Sequence, residues 1–159
     1  MKYLIFLFFS ISILQSGNSQ VIYDFQTHIS YLQNNGQAAT ATEILDLHTN
    51  LHPTGYFLAD HVESTEDKFP FRIVSDVGNL EGAGSEELHL DKVKIVNVLI
   101  RNHEEILNGQ LSAKLVSRLT SLKYIVLISE FNASPEDFAH IVSYVPGGVL
   151  ILNKRSITE

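Results

Sequence analysis

Val93-Lys94-Ile95-Val96-Asn97-Val98-Leu99-Ile100 is the stretch on which the fold turns. It is β-branched and apolar at consecutive positions rather than alternate ones, the pattern of a strand covered on both faces. A helical pattern comes next. Asn102 with Glu105 three residues later forms a capping-box pattern, and Leu107, Leu111, Leu115, Leu119 and Leu122 recur at spacings of four and three. The spacing predicts an amphipathic helix lying on a sheet, which Asn108-Gly109 can split into two shorter pieces.

A second strand is expected over Lys123–Ile128. Ser134-Pro135-Glu136-Asp137 then combines a capping serine, a first-position proline and two acids, which together start a helix. Phe138, Ile141, Val142 and Val145 give it an apolar stripe, and Pro146-Gly147-Gly148 stops it before a third strand at Val149–Leu152. From 93 to 153 the chain therefore reads as a βαβαβ unit, whose connections imply parallel strands. Leu119 to Leu127 has the outline of a leucine-rich repeat. The three strands start near 93, 124 and 149, however, and such unequal spacing makes the likeness a coincidence.

Toward the N-terminus, Phe25, Ile29 and Leu32 mark a helix from Asp24 to Gln33 that Asn34-Asn35-Gly36 ends. Ile44, Leu47 and Leu51 mark a second, from about Thr40 to Leu51, stopped at His52-Pro53. Tyr56–Val62 and Phe69–Ser75 read as two strands of a β-hairpin around the polar turn Glu63 to Lys68. Gly78 to Glu87, glycine-rich and acidic, reads as a mobile connector. The expected class is α/β (or α+β), with these helices and the hairpin packed against the C-terminal unit.

The first nineteen residues carry an address. Met1-Lys2, an apolar run from Tyr3 to Leu14 and the small residues Gly17 and Ser19 compose a secretory signal peptide over 1–19, cut after Ser19. The apolar run is too short to span a bilayer. Residues 20–159 are then a single globular α/β domain, secreted or periplasmic, with no membrane span after cleavage. The chain has no cysteine, so disulfides, thiolate metal sites, cysteine nucleophiles and a lipoprotein anchor are all excluded. A net charge of −7 argues against nucleic acid and anionic lipid as partners.

Candidate chemistry is sparse. His48 and His52 are four apart in a helical stretch and His61 lies beyond the turn, a spacing that allows a zinc ion. It lacks the glutamate of the metalloprotease helix motif, and His52 precedes Pro53. The glycines at 78, 82 and 84 lie beside Glu81, Glu86 and Glu87, which would repel a phosphate. Gly82-Ala83-Gly84-Ser85-Glu86 has the wrong order for a nucleophile elbow. Asn132-Ala133-Ser134 matches a glycosylation acceptor, but Pro135 comes directly after it and a helix cap explains the serine. In an open parallel sheet the residues just after the strands converge on one edge. Arg101, His103, Glu130, Asn132, Lys154 and Arg155 occupy that edge here and suit a polar ligand or a peptide. These residues favour a non-enzymatic binding or interaction protein of the envelope or extracellular space, with no catalytic set and no required cofactor. The alternative is a metal-dependent or other hydrolase built on His48, His52 and His61, or on the edge around His103.

Overall fold

The computed structural model describes residues 20–58, 61–64, 69–80 and 88–156, and for 61–64 the backbone alone. Residues 1–19, where the signal peptide is expected, lie outside it. The backbone forms β1 (Ile22–Asp24), α1 (Phe25–Asn34), α2 (Ala38–Thr49), β2 (Thr54–Leu58), β3 (His61–Ser64), β4 (Arg72–Asp76), β5 (Ile95–Ile100), α3 (His103–Asn108), α4 (Ala113–Arg118), β6 (Tyr124–Ser129) and β7 (Leu150–Arg155). Short 3-10 turns at Val77–Asn79, Leu90–Lys92 and Pro135–Phe138 complete the described elements.

The strands make one seven-stranded sheet in the order β1-β7-β6-β5-β4-β2-β3. Six run parallel, and β3 pairs antiparallel with β2 at one edge. The expected α/β class with a parallel C-terminal unit holds, and the sheet extends further than expected. Because side chains alternate along a strand, the sheet feeds two separate cores. Val96, Val98, Ile100, Ile125, Leu127 and Ile151 point to the side covered by α3, α4 and the 135–145 segment, where Ile106, Leu111, Leu115, Phe138 and Ile141 meet them. Ile95, Tyr124, Val126 and Leu152 point the other way, onto Phe25, Ile29 and Leu32 of α1 and Ala41, Ile44 and Leu47 of α2. A strand flanked by two cores must be apolar on both faces, which is why β5 and β6 read as unbroken runs.

Three expectations need correction. The hairpin lies elsewhere: its strands are β2 and β3, while Arg72–Asp76 pairs in parallel with β2 and is not its hairpin partner. The segment after Ser134 does not form an α-helix. It is a 3-10 turn succeeded by further turns, closed by i to i+3 bonds such as Ile141 N–H to Phe138 O (3.0 Å) and Val145 N–H to Val142 O (2.9 Å). Phe138 and Ile141, and again Val142 and Val145, are three apart, so three-residue turns bury all four as well as a helix would. Of the expected connector, Gly78–Leu80 continues the structure as a 3-10 turn and a buried leucine, whereas residues 81–87 are not described.

The leucine-spaced helix is indeed split at Asn108-Gly109, for a packing reason. A Cβ at Gly109 would collide with Val77 and lie 2.6 Å from the Glu105 carbonyl oxygen, so only glycine lets α3 end against the 3-10 turn that follows β4. α3 starts on Asn102, whose side chain accepts from the Glu105 N–H, while the Glu105 carboxylate accepts from the Arg101 N–H. α1 starts on Asp24, which accepts from the Thr27 N–H. The turn into α2 places Gly36 at a φ of 75°. Among the described residues no helix is long and apolar enough to cross a membrane.

Candidate functional site

Two of the expected metal ligands are engaged in bonds of their own. His48 sits on the α2 face that meets the sheet, its Nδ1 3.2 Å from Asn97 Oδ1 and its Nε2 3.1 Å from Lys154 Nζ. His52 turns back on its helix, with Nε2 3.0 Å from Asp46 Oδ2 and 3.1 Å from the Asp46 carbonyl oxygen. The His61 side chain lies outside the described residues. Among the described residues no three His, Asp or Glu side chains converge as a metal-ion site.

His48 instead completes a polar inclusion beneath α1 and α2. Asn97 is the one polar residue in β5 and is 4 % exposed, so without a partner its amide would be costly. An ammonium can only donate, so Nε2 accepts from Lys154 and the Nδ1–H is left to donate to Asn97. Burial holds the imidazole below its ordinary value, the Asn97 bond opposes that, and the nearby charges of Lys154 and Arg72 reinforce it. The Phe25 ring closes the group, 5.1 Å from the His48 ring and 5.5 Å from the Lys154 ammonium. Beside it the buried Arg72 donates to the carbonyls of His48 (3.0 Å) and Asn50 (3.1 Å) and to Thr54 Oγ1 (3.0 Å). It thereby satisfies the C-terminal carbonyls of α2 and opposes the negative end of the helix dipole.

The strand-end residues are only partly brought together. Ile100, Ser129 and Arg155 are in register, so the segments after β5 and β6 and the end of β7 share one edge. There Arg101 Nη2 is 2.9 Å from Asp76 Oδ1, and the His103 ring packs 4.2 Å from Phe131. Glu130 and Asn132 are exposed beside them. Lys154 departs from this set: it is in register with Ile128 and faces the α1–α2 side, where it holds His48.

A further cavity-forming group lies elsewhere, at the β1 edge. Tyr23, Asp24, Thr27, His28 and Tyr31 line a cavity of about 340 Å³, within the size range of small-ligand sites. The His28 ring stands between two tyrosines, 4.4 Å from Tyr23 and 5.9 Å from Tyr31. Burial lowers the His28 pKa, which favours the neutral ring. Tyr23 is 41 % exposed and Tyr31 57 % exposed, a large aromatic surface for a folded chain to leave open. Hydrogen bonding to Thr27 holds the Asp24 carboxyl below its ordinary value, so the cavity lining includes a negative charge.

Sequence reading misses this group because its strand is only three residues long. The available signal is the i, i+3 spacing of His28 and Tyr31 on the side of α1 flanking Phe25, Ile29 and Leu32. The fold and site define an α/β protein with a parallel sheet between two helical layers and an open aromatic cavity at one edge. Compared with known proteins, the chain matches no family model, no curated protein and no solved structure.

Proposed function

We propose that this chain is an exported, non-enzymatic binding module whose ligand seat is the aromatic cavity between β1 and α1. The carrying observation is the exposed Tyr23–His28–Tyr31 stack over a cavity of about 340 Å³. Planar rings with a neutral histidine and a carboxylate offer stacking and hydrogen-bond acceptance, the features of recognition rather than of bond breaking. Two histidines of the hydrolase alternative support this, because both ring nitrogens of His48 and Nε2 of His52 are engaged in packing bonds. Export rests on the charged, apolar and small-residue pattern of residues 1–19.

The test places a photo-crosslinking residue at Tyr31, with Leu107 as control, since Leu107 is 75 % exposed on α3. The protein is expressed with its leader, and both cell-envelope and extracellular fractions are irradiated. Expected are a protein starting at Gln20 and adducts specific to position 31. Retention in the cytoplasm overturns export, and equal or absent adducts at both positions overturn the seat.

A further inference from the structure

β1 is an edge strand. It pairs with β7 through Ile22, Tyr23 and Asp24, and among the described residues no strand lies on its outer side. Outward-facing backbone groups on an edge are a template for another strand, and folded proteins usually blunt them with lysine, proline or a covering element. The stretch Gln20-Val21-Ile22-Tyr23-Asp24 contains neither lysine nor proline, and Val21, Ile22 and Tyr23 are strong strand formers. Val21 is 60 % exposed.

Cavities flank this edge on both faces of the sheet. On the α1 side is the aromatic cavity, lined in part by Asp24. On the other side, Val21 and Ile22 with Pro135, Glu136 and Ala139 line a second cavity of about 290 Å³. Each cavity has one acidic residue in its lining, Asp24 in the first and Glu136 in the second. Consecutive residues of an added strand point to opposite faces, so two adjacent basic residues would enter the two cavities together. A second copy of this chain fits poorly, because edge-to-edge pairing would bring the acids of both copies together, on a molecule of net charge −7.

We infer that the outer edge of β1 takes an extended basic segment of a partner protein as an eighth strand, with adjacent Arg or Lys side chains seated against Asp24 and Glu136. This rests on the binding-module proposal and supplies its partner class. Main-chain bonds to β1 would give the affinity, and the two flanking cavities the selection of side chains.

The experiment titrates the purified full chain with a short Thr/Val peptide containing an adjacent Arg-Arg pair, and with its Glu-Glu counterpart. Binding is followed by anisotropy and by amide exchange across residues 20–24. The Arg-Arg peptide is expected to bind roughly tenfold tighter than its counterpart and to slow exchange there. The double variant Asp24→Asn with Glu136→Gln, which keeps an α1 cap, should lose that preference while remaining folded. Absence of binding, equal affinity for the two peptides, or unchanged exchange over 20–24 overturns the inference. So does a dimer that already protects these amides, or protection that disappears when residues 1–19 are removed, since the occupant would then be a second copy or the chain's own leader. If position 31 crosslinks specifically and the peptides leave β1 exchange unchanged, strand addition falls while the binding module stands.

Discussion

The Lys154 ammonium stands 3.1 Å from Nε2 of His48, a lysine of the last strand meeting a histidine of the second helix. Only a neutral imidazole can accept that bond. The contact therefore records a protonation state as well as a position, and protonating His48 would set an N–H against a cation in a partly buried site.

Stability should accordingly depend on His48 in mildly acidic solution. Its folded pKa lies below the ordinary value of 6.5, with burial as the main cause, so below that pH the unfolded chain binds more protons than the folded one. Stability is full above about pH 6.5 and falls as the pH drops toward the folded value. His28, also lowered by burial, adds in the same direction. The carboxylates of Asp24, Glu43, Asp46 and Asp137 have lowered pKa values, so their contributions persist until the solution is far more acidic. Melting temperatures measured from pH 7 to 5 should decline in the wild type and decline less in His48→Gln. An unchanged slope in the variant would remove His48 as the cause.

Arg72 ties α2 to the sheet through carbonyl acceptors that have no helical donor. Arg72→Met keeps much of the buried stem but leaves those oxygens unpaired, at an expected cost of about 3 kcal/mol in urea unfolding. Arg72→Lys should recover only part of it, since one ammonium cannot reproduce the planar fork. A loss under about 0.5 kcal/mol would mean that water replaces the guanidinium without penalty.

Three glycines should rank by geometry. Gly109→Ala drives a methyl into Val77 and should cost about 3 kcal/mol. Gly36→Ala meets open space but must adopt a positive φ, for about 1 kcal/mol. Gly147→Ala has neither problem and should lie within about 0.5 kcal/mol of wild type. Unfolding midpoints in any other order would contradict the packing of α3 on Val77.

Tyr124 donates to Glu43 Oε2 at 2.8 Å, while Lys123 holds the other carboxylate oxygen at 2.7 Å. Burial, the bond to Glu43 and the charge of Glu43 all push the phenol well above its ordinary value of 10. An alkaline absorbance titration should show a late tyrosine step, and Tyr124→Phe should delete it. A late step that survives the substitution belongs to another tyrosine.

Much of the fold is legible because burial on both faces writes itself as unbroken apolar sequence. β5, β6 and β7 come directly from their Val, Ile and Leu runs, and α1 and α2 from Phe25, Ile29, Leu32, Ile44 and Leu47. Local pattern fails where tertiary context decides. Phe138, Ile141, Val142 and Val145 satisfy helical and 3-10 spacing alike, and only the bonds between them distinguish the two. Tyr56 to Val62 reads as one strand but contains the end of β2 and the start of β3. β1 is too short to announce itself, so the cavity beside it is invisible too. His48 stands out for its spacing to His52, but its ring faces a buried asparagine 49 positions away, a partner no periodicity reveals.

Joining β1 to β7 makes the first described strand the neighbour of the last described one, with Ile22 opposite Ile151. A polypeptide emerging from its N-terminus must therefore hold that strand in waiting until β7, more than a hundred residues later, has been made. The α1–α2 layer waits with it, since its apolar face packs on Tyr124, Val126 and Leu152. Such long-range closure slows folding. β7 is thereby the latch that closes both β1 and the α1–α2 layer onto the sheet.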